Sequence, residues 1–411
     1  MGVWGTGGRD NFYYSGMSSV VRVVLAGVIA VGLVPGGASA APGDWALPDG
    51  GWAQDGYGPG NTGVNPNEHT ITTRNAGKLR YRWSVLSAVT RSGCLAQSAP
   101  VVAGRRLFLP DANGFAAYDA VTGQRLWRRN VGIYDSETPK FAVSGNLLLS
   151  ASNTCGSVSD PDVDLAAYDV ATGAKRWSVK RDAPMAHMVV DRNVVAVGGG
   201  DAGEDRVSVY RRSDGTLLWS AAELELAADV SADGRLLLAR TGEKKGSMAV
   251  DIVTGKELWS TKARWTVAAA DPAGERFIVG DATGKLHALD ARNGNTVWSA
   301  GGIAREDGTA TIAVDDTRIY ATHDTHLIAL DAKTGKKIWD QEFLSNPLGQ
   351  PTVAGGVVYA PIEDGWLAIR DARTGDDLDD LPLVGDVHGH AVVTGGHLYV
   401  TNGRVLDVFT P

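Results

Sequence analysis

Beyond residue 70 the chain is built from short apolar stretches separated by polar turns, and the pattern returns about every 40 residues. In the first complete unit the stretches are 100–103, 106–109, 115–119 and 125–128, too short for helices and alternating as half-buried strands do. The breaks hold Gly104, then Asp111 to Gly114, then Thr122-Gly123, all residues suited to tight hairpins. Four strands joined this way form one small antiparallel sheet, and equal sheets at a 40-residue period predict the blades of a β-propeller.

The units share a signature. Asp119, Thr122, Gly123 and Trp127 recur as Asp169, Thr172, Gly173 and Trp177, then with variations through Asp214-Gly215 and Trp219, Asp251 to Trp259, Asp290 to Trp298 and Asp331 to Trp339. A seventh copy keeps Asp371, Thr374 and Gly375 but has Asp379 in the tryptophan position. Spacings between the glycines are 50, 42, 40, 39, 41 and 40 residues. Asp and Thr side chains bond turn amides, and Gly accepts a positive φ. The indole ring is wide enough to wedge one blade against the next, and the missing wedge marks the seventh unit as the weak point of the ring.

Closure is legible as well. Residues 77–83 look like a last strand ending on Trp83, 44 residues before Trp127, whereas 389–393, 397–401 and 404–409 supply three strands before the chain stops. The expected fold is therefore all-β, an eight-bladed propeller of four-stranded antiparallel blades in which an N-terminal strand completes the C-terminal blade. Residues 1–40 read as a signal peptide, with Arg22 before the apolar run 23–34, cleavage after Ala40 and Met17 as a possible true start. Residues 41–70 form an extended lead-in and 71–411 the propeller.

Composition narrows the function classes. A net charge of −8 argues against a nucleic-acid partner, and the apolar run near the N-terminus is short for a membrane span. Export predicts an oxidising compartment, where the two cysteines, Cys94 and Cys155, are expected to form a disulfide between neighbouring blades. A monomer is expected.

The repeated A-x-D-x-x-T-G-x-x-x-W unit, with a lead-in containing Asp44-Trp45, Asn61 to Pro66 and Asn75 to Trp83, resembles the pyrroloquinoline-quinone (PQQ) type propeller repeat. That repeat is found in quinoprotein alcohol dehydrogenases and in the bacterial outer-membrane assembly lipoprotein. The resemblance implies the fold, and for the dehydrogenase branch it implies PQQ with calcium. The chain lacks the adjacent cysteines and the C-x-x-C-H haem segment of those enzymes, and so resembles the non-catalytic assembly branch more.

Aligning the innermost strands gives the column Ala99, Lys140, His187, Ala227, Val267, Thr311, Gln350 and His390, followed by a column of apolar residues. His388 lies one step above. Lys140, His187, Thr311, Gln350, His388 and His390 are thus candidates for a ligand site at the channel mouth, the alternative being groups that bond channel water. His323, Asp324 and His326 are a second, metal-binding candidate, with ordinary turn chemistry as the alternative. The acidic stretch Asp160, Asp162, Asp164 lacks the glycine and distal glutamate of a calcium loop. No G-x-S-x-G, H-E-x-x-H or phosphate-loop motif occurs. Two readings stay open: a secreted binding scaffold for a protein, glycan, envelope or small-molecule ligand, or an extracellular enzyme working at the channel mouth, either a divergent PQQ-dependent oxidoreductase or another chemistry on the same scaffold.

Overall fold

A computed structural model describes residues 51–86, 99–111, 114–131, 139–153, 162–182, 185–199, 207–241, 245–383, 390–402 and 405–411. The expected signal peptide, Cys94, Cys155 and His388 lie outside them. Eight four-stranded antiparallel sheets form a ring. Blades 1 to 7 occupy residues 101–130, 140–182, 187–221, 224–261, 266–300, 311–342 and 352–382 in chain order. Blade 8 has three strands from the C-terminus, Ala391–Thr394, His397–Asn402 and Val405–Thr410, and a fourth, Arg80–Leu86, from the N-terminal side. Trp83 pairs with Val408 in that closing strand.

The repeated signature explains both the turn and the seam. Asp119 Oδ1 accepts bonds from the Val121 and Thr122 amides and the Thr122 hydroxyl at 2.9–3.1 Å, and Asp169, Asp251 and Asp331 repeat the arrangement. The glycine that follows has a positive φ, 69° at Gly335. It also lies under the preceding blade's tryptophan: a Cβ at Gly335 would come within 2.5 Å of the Trp298 ring, so only glycine fits. Each indole N–H then donates to a backbone carbonyl of the next blade, from Trp83 to Val121 at 2.8 Å through Trp339 to Ala372 at 3.2 Å. Seven seams are closed in this way.

The eighth seam, between blades 7 and 8, is built differently. Gly77, in the short 3-10 turn Ala76–Lys78, faces the Leu378 carbonyl and Asp379 rather than an indole. The lead-in fills the space: Ile71, Ala76 and Leu79 join Tyr359, Ile369, Leu383, Val400 and Phe409 in one buried cluster. Arg370, buried in the same blade, is held by Asp377 and Asp380 and lies over the Phe343 ring. The substitution of Asp379 for tryptophan is thus accompanied by extra aliphatic packing from the N-terminal side.

A one-residue bulge interrupts the outer strand of all eight blades opposite the third strand, as in the shift from Ala117↔Trp127 to Tyr118↔Arg125. Leu126, Leu258, Val297 and Ile338 are among the bulged residues and are exposed. The bulge twists the free edge and hinders edge-to-edge pairing.

Residues 52–68 pass all eight blades in order and act as a clasp on the ring's inner edge. Trp52 exchanges two backbone bonds with Val102, Ala53 accepts from Val143, and the Gln54 carboxamide brackets Val190 N and O. Pro59, Gly60, Thr62 and Gly63 accept from Ser231, Ala270, Val314 and Val353. Val64–Asn65 then runs parallel to the inner strand of blade 7, Asn65 Nδ2 donates to Val393 O, and Glu68 accepts from Gly396 N. An inner strand leaves backbone groups facing the channel, and one such N–H in each of blades 1 to 7 finds its acceptor on this segment.

Candidate functional site

The clasp engages the last residues of the inner strands, so the opposite end, where those strands begin, is the channel mouth. Lys140 and His187 are each the first residue of an inner strand, in blades 2 and 3. They meet on a residue that the alignment did not select. Asp229 Oδ2 accepts from Lys140 Nζ at 2.7 Å, Oδ1 accepts from the Met188 amide at 2.6 Å, and His187 Nδ1 lies 3.4 Å from Oδ1. That last contact is an ion-pair distance without hydrogen-bond alignment, and His187 Nδ1 is buried with no better partner. One carboxylate therefore joins blades 2, 3 and 4.

Asp229 was missed because blade 4 runs one residue out of the aligned register. The clasp bonds mark Val102, Val143, Val190, Ser231, Ala270, Val314 and Val353 as equivalent, which places Ala228, not Ala227, in the polar column. Asp229 then falls in the column expected to be wholly apolar. The irregularity has a structural origin: the inner strand of blade 4 pairs only over Leu224–Glu225. A lone Asp in Ala227-Ala-Asp-Val230 was the available signal.

Burial pushes the Asp229 carboxyl up, but the Lys140 ammonium and then His187 outweigh it and hold the group far below the usual carboxylate range. A carboxylate with a depressed folded-state pKa stabilises the fold above its unfolded value of roughly 3.9, and the contribution fades as pH falls through the folded value. Asp229→Asn is expected to cost about 1–2 kcal/mol at pH 6. The gap from the parent protein should narrow below about pH 4. Urea unfolding at both pH values checks this, and a gap that grows on acidification would refute it.

The remaining candidates diverge. Gln350 Nε2 donates to Asn61 O and Ile312 O, which makes it an anchor for the clasp. Thr311 begins the inner strand of blade 6, and its carbonyl accepts from the Thr322 hydroxyl. The His390 amide donates to Thr401 Oγ1 at 2.8 Å. In the blade 6 hairpin His323 and His326 pair across the turn, with Asp324 at a positive φ, but His326 Nδ1 bonds Asp340 at 2.7 Å and Asp340 is also held by Lys337. Among the described residues no group of three or more His, Cys, Asp or Glu is placed to hold a metal ion.

A calcium–quinone group does not fit the described mouth. Calcium takes six to eight oxygen ligands. The carboxylate at the meeting point, Asp229, already has both oxygens engaged by protein donors. At the clasp end a groove of about 430 Å³ is lined by Tyr57, Pro59, Val64 and several aspartates. Asp191, Asp271 and Asp315 there are engaged by turn amides and hydroxyls, so these carboxylates shape hairpins.

A family model described as "Outer membrane protein assembly factor BamB" matches residues 69–204 and 203–408. The protein of that name from Shewanella oneidensis is 24% identical over 292 residues, covering 66% of this chain and 70% of its own. Among solved structures, quinohemoprotein alcohol dehydrogenase from Comamonas testosteroni superposes with a TM-score of 0.66 at 15% identity, covering 90% of this chain and 81% of the enzyme. BamB from Moraxella catarrhalis gives 0.59 at 16%, covering 81% and 100%. At these identities the structural likenesses concern the fold alone.

Proposed function

The chain belongs to the family described as outer membrane protein assembly factor BamB, and on that premise we propose that it is a protein-binding scaffold of the cell envelope whose mouth face meets the partner. The family match along most of the chain carries the reading. Two features of the molecule support it. The chain between second and third strands, whose ends lie on the mouth face, varies from two residues in blades 1, 6 and 8 to eight in blades 2 and 3. Variable loops on a rigid frame are where binding specificity usually resides. The opposite end is engaged by the clasp. The proposal includes export, with residues 1–40 as the signal peptide, and a Cys94–Cys155 disulfide in the mature chain.

The test is photo-cross-linking in intact envelopes, with the cross-linker at Ala186 or Thr311 on the mouth side and at Asp316 on the clasp side. Adducts to an outer-membrane assembly component from the mouth positions, on a mature chain beginning at Ala41, are the expected result. Adducts of equal yield from Asp316, or none from the mouth, would sink the reading. The dehydrogenase alternative rests on the fold and on a distant sequence likeness that spans less than half of such an enzyme. Adding PQQ with calcium is expected to leave Tm unchanged; a rise in Tm together with dye-coupled alcohol oxidation would favour the enzyme.

A further inference from the structure

On blade 5 three side chains form a hydrogen-bonded array that runs from the connection between the second and third strands to the outer strand. Ser299 Oγ lies 2.7 Å from His287 Nδ1, and His287 Nε2 lies 2.8 Å from Asp281 Oδ2. The fold brings them together. His287 is the second residue of the third strand and pairs in register with Ser299 on the outer strand, while Asp281 opens the turn just before the third strand. The Trp265 ring packs against the imidazole at 4.9 Å between centroids, and His287 is buried whereas Ser299 is exposed.

The proton positions follow from charge. Burial pushes the Asp281 carboxyl up, but the Thr283 hydroxyl, His287 and the Lys285 and Thr283 amides together hold it far below the usual range. Three of those donors converge on Oδ1, at 2.7–3.1 Å, leaving Oδ2 for the histidine. An ionised carboxylate only accepts, so in the neutral imidazole Nε2 carries the hydrogen. Nδ1 then presents a lone pair, and the Ser299 hydroxyl is the donor to it. This is the arrangement of a nucleophile, a base and a group that orients the base.

We infer that Ser299 is a nucleophile activated by His287, with Asp281 as the positioning residue, and that the site takes small, exposed acyl esters. In the step it would perform, Ser299 Oγ bonds to the acyl carbon and its proton passes to His287 Nδ1. The ester C–O bond breaks, and the leaving alkoxide takes that proton. Water then attacks the acyl-serine by the same route, releasing a carboxylic acid and restoring the hydroxyl. The inference does not depend on the scaffold reading, because it rests on the geometry of three side chains within blade 5.

The probe is a fluorophosphonate, with adducts mapped by mass spectrometry on the full-length protein, alongside 4-nitrophenyl acetate hydrolysis. Modification of Ser299 is expected, with labelling abolished at this position in Ser299→Ala and slowed roughly 10²-fold or more in His287→Gln, the usual worth of a general base. Asp281→Asn should lower kcat with KM unchanged. An unlabelled Ser299 in the folded protein, or an undiminished rate in His287→Gln, overturns the inference. Because His287 is buried and its variant can misfold, Ser299→Cys at the exposed position supplies a second reading. Alkylation of residue 299 by iodoacetamide at pH 7 should exceed that of a free thiol severalfold, and an equal rate refutes an activating base.

Discussion

Replacing Trp298 by alanine is expected to cost about 3–5 kcal/mol, the range for removing a large buried aromatic side chain. The ring is 8% exposed and packs in one cluster with Ile303, Ile312 and Ile328 at the seam between blades 5 and 6. Its N–H donates to Ala332 O at 3.0 Å, so truncation removes one of that carbonyl's two donors, Arg276 Nη1 at 3.2 Å being the other, as well as opening a cavity. Gly335 cannot relax to fill the hole, having no side chain, and its positive φ disfavours a larger residue. Urea denaturation followed by circular dichroism measures the loss. A change below about 1 kcal/mol would show that neighbouring blades carry the seam without the wedge.

The second large effect is expected at Glu68. This carboxylate is 3% exposed, with Oε1 accepting from the Thr70 and Ile71 amides at 2.7 and 2.9 Å and Oε2 from the Gly396 amide at 3.0 Å. Glu68→Ala removes three charge-assisted bonds at once and should cost about 2–4 kcal/mol. The loss should be local to the closure, because Glu68 ties the end of the clasp to blade 8 and leads into Ile71, Ala76 and Leu79 at the seam that has no tryptophan. Hydrogen exchange gives the clearest readout: the Thr70, Ile71 and Gly396 amides should exchange faster while those of blades 3 to 5 keep their protection. Uniform loss of protection around the ring would show that the clasp end is no local fastener.

Asp379 and Asp229 show where reading the chain succeeds and where it stops. The tryptophan repeat located seven seams and the gap at Asp379, because a wedge and its glycine partner are set by local turn chemistry and a constant spacing. What occupies that gap was not legible: Ile71, Ala76 and Leu79 lie roughly 300 residues away in sequence. Lys140 and His187 could be read as neighbours in a column, but their shared partner lies in a blade whose inner strand breaks the repeat. Gln350, chosen for the same column, turned out to hold the clasp. The array of Asp281, His287 and Ser299 has no motif spacing at all; strand register alone assembles it.

By itself, then, the sequence determined the all-β repeat, the eight blades and the strand that closes them. All of these follow from period-two hydrophobicity and turn residues acting over a few positions. The tertiary structure alone decided the path of residues 52–68 around the ring, the joining of three blades on Asp229 and the pairing of Ser299 with His287. These depend on which strand ends a closed ring brings side by side, and no local pattern records that.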